Sequence, residues 1–146
     1  MAASGPTGRL LVGAWTGIAM LMAGQVVDLR WHAAHGRRFE RASDQVGAHW
    51  LIWLGVLVLL LVAVVGARRA QSRWYTGFRL LLLAVVCHVL IDGWHFWEHY
   101  NLRDPVVPHV LLASLKAVML AGVITAIPTT TTSISIWSGD GKGPLH

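Results

Sequence analysis

At 146 residues the chain is 55% hydrophobic and only 13% charged, about half the charged fraction of an ordinary soluble domain. Its net charge of +5 sits in short connecting stretches instead of on a polar domain face, which argues against nucleic acid as a partner and for the lipid bilayer. The single cysteine, Cys87, excludes an internal disulfide and a thiolate-rich zinc or iron–sulfur centre, and its place within an apolar run suits packing.

Four runs approach or exceed the length needed to cross a bilayer: residues 10–27, 50–66, 78–97 and 106–127. The expected fold is all-α: a polytopic membrane four-helix bundle over residues 1–128, followed by a polar, disordered tail over 129–146. Residues 1–8 read as a loose, small and polar segment. The first span has the look of a secretory signal, with Arg9 ahead of it and Ala33-Ala34 near a cleavage position. Its apolar run is longer than such a signal needs, so retention is expected. Gly13 and Gly17, four apart, offer a small-residue face for close helix contact. Gln25, Asp28, His32 and His35 follow at +3, +4 and +3, which places them on one face of a helix.

Residues 36–48 read as a polar loop with room for a short amphipathic helix over Arg37–Gln45. His49 opens the second, almost wholly aliphatic span, which ends at Arg68-Arg69. Arg68, Arg69, Arg73 and Arg79 cluster with no acid among them, which marks this loop, and hence both termini, as cytoplasmic. The outer basic residues (Arg30, Arg37, Arg38, Arg41, Arg103) are nearly as numerous but are mixed with Glu40, Asp44 and Asp104.

The third span carries the stretch that organises the chain. After the apolar run Leu80–Val86 come His88, Asp92, His95 and His99 at +4, +3 and +4. On a helix these form one stripe climbing about 16 Å. A polar stripe at the end of a spanning segment is a candidate functional site. Asn101 to Pro108 reads as a tight outer turn, with Pro105 and Pro108 breaking the helix before the fourth span begins near His109. Lys116, seven residues on, either faces the bundle interior or snorkels.

The first and third spans end alike. Each has an Asp shortly before a Trp-His pair (Asp28 and Trp31-His32; Asp92 and Trp94-His95), a second His seven residues after the Asp (His35, His99), and a further His opening the next span (His49, His109). The chain thus reads as two tandem helix-hairpin repeats, about 10–66 and 78–127, related by a pseudo-twofold axis along the membrane normal. Both His/Asp sets then meet at one depth on the outer face, beside an aromatic belt of Trp31, Trp50, Trp53, Trp94 and Trp97.

Histidine with aspartate and no sulfur suits a transition metal, copper ahead of zinc or iron. The expected metal ligands are Asp28, His32, His35, His49, Asp92, His95, His99 and His109, forming one site per repeat or a shared dinuclear site. Either carboxylate could instead orient a histidine through its other ring nitrogen. His88, Lys116 and Gln25 surround the set. A lone interfacial histidine is more often structural than a ligand, Trp31 and Trp94 suit the belt, and Glu98 points off the stripe into water. Duplication and convergence weigh on the other side.

Asp28-x-x-x-His32 with the later His49 resembles the Asp-x-x-x-His…His metal motif in membrane subunits of copper-dependent methane and ammonia monooxygenases. His32-x-x-His35 and His95-x-x-x-His99 are similar to the histidine boxes of membrane di-iron hydroxylases and desaturases. As a whole, the chain resembles small four-span bacterial membrane proteins of unknown function with Asp/His-rich repeats. The expectation is a metal-handling protein, or the metal-bearing subunit of a membrane oxidoreductase, in a bacterial plasma membrane. It would stand alone as a homo-oligomer or join a larger membrane complex, and any substrate would come from lipid or a partner. If the site is catalytic, the metal supplies Lewis-acid or redox chemistry. Two other classes compete. One is a non-enzymatic accessory subunit whose His/Asp cluster is structural or proton-conducting. The other binds haem between facing histidines, His32 or His35 with His95 or His99, without the c-type attachment motif.

Overall fold

The computed structural model describes residues 6–35, 42–69, 75–101 and 106–127. They form four helices: α1 (Pro6–His35), α2 (Ala42–Arg69), α3 (Tyr75–Tyr100) and α4 (Val106–Thr125). Each is long and apolar enough to cross a membrane, and the described residues contain no strand. Leu29, Leu61, Leu83, Leu90 and Val110 stand exposed on the outside, as lipid-facing side chains do. The tail over 129–146 lies outside the described residues.

The helices overrun the apolar segments at both ends of the first two spans. α1 has 30 residues and α2 has 28, lengths of about 45 and 42 Å against an apolar bilayer core of about 30 Å. Hydropathy marks where lipid ends, whereas helix continues while backbone hydrogen bonds can be made. Asp28 to His35 extend α1 with their expected helical face, and Ala42 to Ala48 extend α2 instead of belonging to a loop. The segment expected as an amphipathic helix, Arg37–Gln45, is described only from Ala42, where it is the start of α2. Pro6 opens α1, and Pro108 is the third residue of α4. Pro108 does not break the helix before His109, because the amides of a first turn have no intrahelical acceptor to lose.

Close contacts give the topology. Along α1, Gly13, Gly17 and Gly24 face Val62, Leu59 and Ile52, so α1 and α2 run antiparallel. Gly77 and Leu81 of α3 meet Ala126 and Gly122 of α4, and Gly66 of α2 meets Phe78 of α3, both antiparallel again. The up-down-up-down bundle has extensive α1–α2 and α3–α4 interfaces and a smaller α2–α3 seam, while α1 and α4 barely touch. One end is filled by an apolar core including Ala14, Leu21, Leu59, Phe78, Leu81 and Val123. The last turns of α1 and α3 and the first turns of α2 and α4 meet at the other end.

Candidate functional site

The antiparallel order brings the polar residues together. In α1, i,i+4 spacing puts His32 Nε2 3.4 Å from Oδ1 of Asp28, and His49 at the start of α2 places its Nε2 3.4 Å from the same oxygen. Both separations exceed an ordinary hydrogen bond, and Oδ1 of this buried carboxylate accepts none among the described residues. In the second hairpin, Asp92 Oδ1 lies 3.7 Å from Nδ1 of His95, whose Nε2 lies 3.1 Å from Nε2 of His109. The His49 and His95 ring centroids are 5.8 Å apart, so the two groups adjoin across the bundle. His49 and His95 are buried, His32 is half-buried and His109 exposed. The side chains of His35 and His99 lie outside the described residues.

The residues around this set tie the helices together. Gln25 donates to Asp28 Oδ2 at 3.2 Å and accepts from the Lys116 ammonium, so an amide links cation to carboxylate across the α1–α4 gap. Lys116 faces the interior. Trp53, expected in the aromatic belt, turns inward: its indole donates to Asp92 Oδ2 at 2.9 Å and joins α2 to α3. Trp50, Trp94 and Trp97 are exposed outside the bundle, as belt residues would be. Glu98 accepts from the Trp94 indole at 3.0 Å, which accounts for its position off the stripe.

The Trp53 bond has a measurable consequence. Trp53→Phe keeps an aromatic ring and leaves a half-buried carboxylate short of one donor. The midpoint of chemical unfolding in detergent should report a loss of about 1.5–3 kcal/mol. An unchanged midpoint would mean that the indole belongs to the belt alone.

Asp28, His49, Asp92, His95, His109 and Lys116 line one shared cavity of about 500 Å³. His88 sits deeper in the bundle, 1% exposed, and neither ring nitrogen has a hydrogen-bond partner among the described residues. It and Asp92 also line a second cavity of about 410 Å³ between α2 and α3, so they form the partition between the two. Among the described residues no group of three or more His, Cys, Asp or Glu side chains is arranged so that it could hold a metal ion. Comparison with family models, curated proteins and solved structures finds no match, so the site's own chemistry carries the functional reading.

Proposed function

We propose that the chain is an integral membrane protein that binds a transition metal, copper first, through this His/Asp layer, as a metal-handling protein or the metal-bearing subunit of a membrane oxidoreductase. The observation that carries the reading is the Asp92–His95–His109 line. Nδ1 of His95 lies on the side of the Asp92 carboxylate, and in the tautomer that carries its proton there the Nε2 lone pair points at His109. That lone pair lies 3.1 Å from the Nε2 of a second imidazole. Two such nitrogens can approach only around a proton or a cation. The distance falls between the edges two imidazoles span on one ion with bonds of about 2.05 Å, about 2.9 Å for cis positions of a tetragonal ion such as copper(II) and about 3.3 Å on a tetrahedral one.

Asp28, His32 and His49 offer the corresponding set in the first hairpin, with the 3.4 Å edges from Asp28 Oδ1 close to the same span. In this reading the hairpins are copies of one unit, a bound ion draws each set closed, and the layer lies at the outer face with both termini cytoplasmic. A nitrogen- and oxygen-rich site favours copper(II), which leads the divalent ions in affinity for such donors.

The test is metal analysis of protein purified under copper, zinc and iron supplementation. We expect close to stoichiometric copper in the native chain, with the content cut at least by half in His95→Ala and in His49→Ala. Equal content in native and variant proteins would remove these residues from the ligand set. A second reading, a structural cluster in a non-enzymatic accessory subunit, draws on the Trp53–Asp92 and Lys116–Gln25 bonds that cross between helices. It gains if no metal is retained.

A further inference from the structure

The cavity has a chemistry that metal binding does not use. Its polar end carries His88, whose ring nitrogens have no partner among the described residues although the side chain is almost wholly buried. A buried imidazole left this way loses its hydration without compensation, a cost that native folds offset with water or a ligand. Gln25, Lys116 and the His/Asp layer share the polar part of the wall, and the remainder is aliphatic, from Ile18, Leu21, Ile52 and Leu112, with no tryptophan, tyrosine or phenylalanine among the lining residues. Its rim is exposed at Met22 of α1 and at Ala117 and Leu120 of α4, along the seam where those helices barely touch. These residues fall within the spanning segments Gly8–Ala34 and Val107–Thr125, so the opening faces acyl chains.

We infer that this cavity is a binding site for a long-chain alcohol that enters sideways from the bilayer through the α1–α4 seam and sets its hydroxyl against His88. Three features choose the class. Aliphatic walls fit an alkyl chain in preference to a flat aromatic ring. A hydroxyl serves whichever imidazole nitrogen faces the cavity, accepting from N–H or donating to the bare nitrogen. Lys116 already stands within electrostatic reach of two carboxylates, Asp28 and Asp92, so an anionic head would arrive without a counter-ion, whereas a hydroxyl needs none. The site does not depend on the metal reading, although the two share a cavity.

The test uses full-length, chelator-treated protein in nanodiscs and radiolabelled 1-decanol, compared with empty nanodiscs of the same lipid. We expect saturable binding of one decanol per chain above lipid partitioning. His88→Phe, which keeps the ring volume, should weaken it about tenfold, the effect of one lost hydrogen bond. Ala117→Trp should block the rim and abolish binding, while Leu83→Trp on the lipid face of α3 leaves it intact. Since Ala117 is exposed, that variant does not depend on repacking the core. Decanol uptake no greater than in empty nanodiscs, or unaffected by Ala117→Trp, would overturn the proposal. So would decanoate binding as tightly as decanol, or a dimer that Ala117→Trp dissociates, since a second copy would then cover the seam. Metal content measured on the same Ala117→Trp protein keeps the outcomes apart, because an alanine side chain is no metal ligand in the proposed set.

Discussion

Gly55→Leu should split the first hairpin and be among the most destabilising single substitutions in the chain. A Cβ at Gly55 would lie 2.7 Å from the Leu21 amide nitrogen and 2.9 Å from the Gly17 carbonyl oxygen. Both are backbone atoms of α1, so no side-chain rotation relieves the clash and the helices must separate. Overpacking of this kind costs about 1–3 kcal/mol and more when backbone has to move. We expect Gly55→Leu to exceed 3 kcal/mol. Gly55→Ala should still be destabilising, although alanine gains up to about 1 kcal/mol over glycine in helix propensity. Gly47 and Gly93 give the opposite sign, since a Cβ at either meets nothing within 4 Å. There the propensity gain stands alone, and Gly47→Ala and Gly93→Ala should stabilise by about 0.5–1 kcal/mol. Thermal unfolding in one detergent, run on all four variants, checks both signs. A Gly55→Ala protein melting with or above the native chain would mean that α1 and α2 are not in this register.

Much of this architecture was legible in the chain because the bilayer imposes a coarse code. Apolar runs of spanning length have few structural options, so four helices followed from hydropathy alone. Up-and-down connection then put the ends of the first and third helices beside the starts of the second and fourth. What could not be read is whatever depends on how the hairpins face each other. The Trp53–Asp92 bond joins α2 to α3 across 39 positions, and no local period marks it. The same holds for Lys116, whose two options of interior or headgroup were decided by Gln25 standing opposite on α1. The thin α1–α4 contact is equally silent in sequence, yet it gives the cavity its opening. The start of α2 lies earlier than hydropathy places it for another reason: Ala42 to Ala48, read as loop, continue the helix outside the apolar segment.

Those polar turns explain why the sequence signal and the site coincide. A carboxylate and an imidazole on adjacent helical turns are held by rigid backbone, and the next helix delivers a further imidazole at the same height. The first hairpin does this with Asp28, His32 and His49, and the second with Asp92, His95 and His109. Cross-helix bonds from Trp53 and Lys116 then fix the two groups against each other, so a change at either link should be felt at both.

Lys116→Met should test that coupling with the second of the large effects. Among the described residues, Lys116 is the only lysine or arginine lining the cavity that also holds Asp28 and Asp92. Its ammonium reaches Asp28 through Gln25, which accepts from the lysine and donates to the carboxylate. Methionine matches the stem in length and prefers lipid, so a lysine that merely snorkelled would be replaced at no loss or with a gain. If the cation instead balances the interior carboxylates, its removal leaves buried charge uncompensated, at about 3–5 kcal/mol. The double variant Lys116→Met/Asp28→Asn removes one carboxylate charge as well, and should be more stable than Lys116→Met alone by more than about 1 kcal/mol. Unfolding midpoints for the native chain, both single variants and the double variant give the coupling energy directly. Additive effects would mean that Lys116 and Asp28 do not sense each other, and that the chain through Gln25 carries no charge balance.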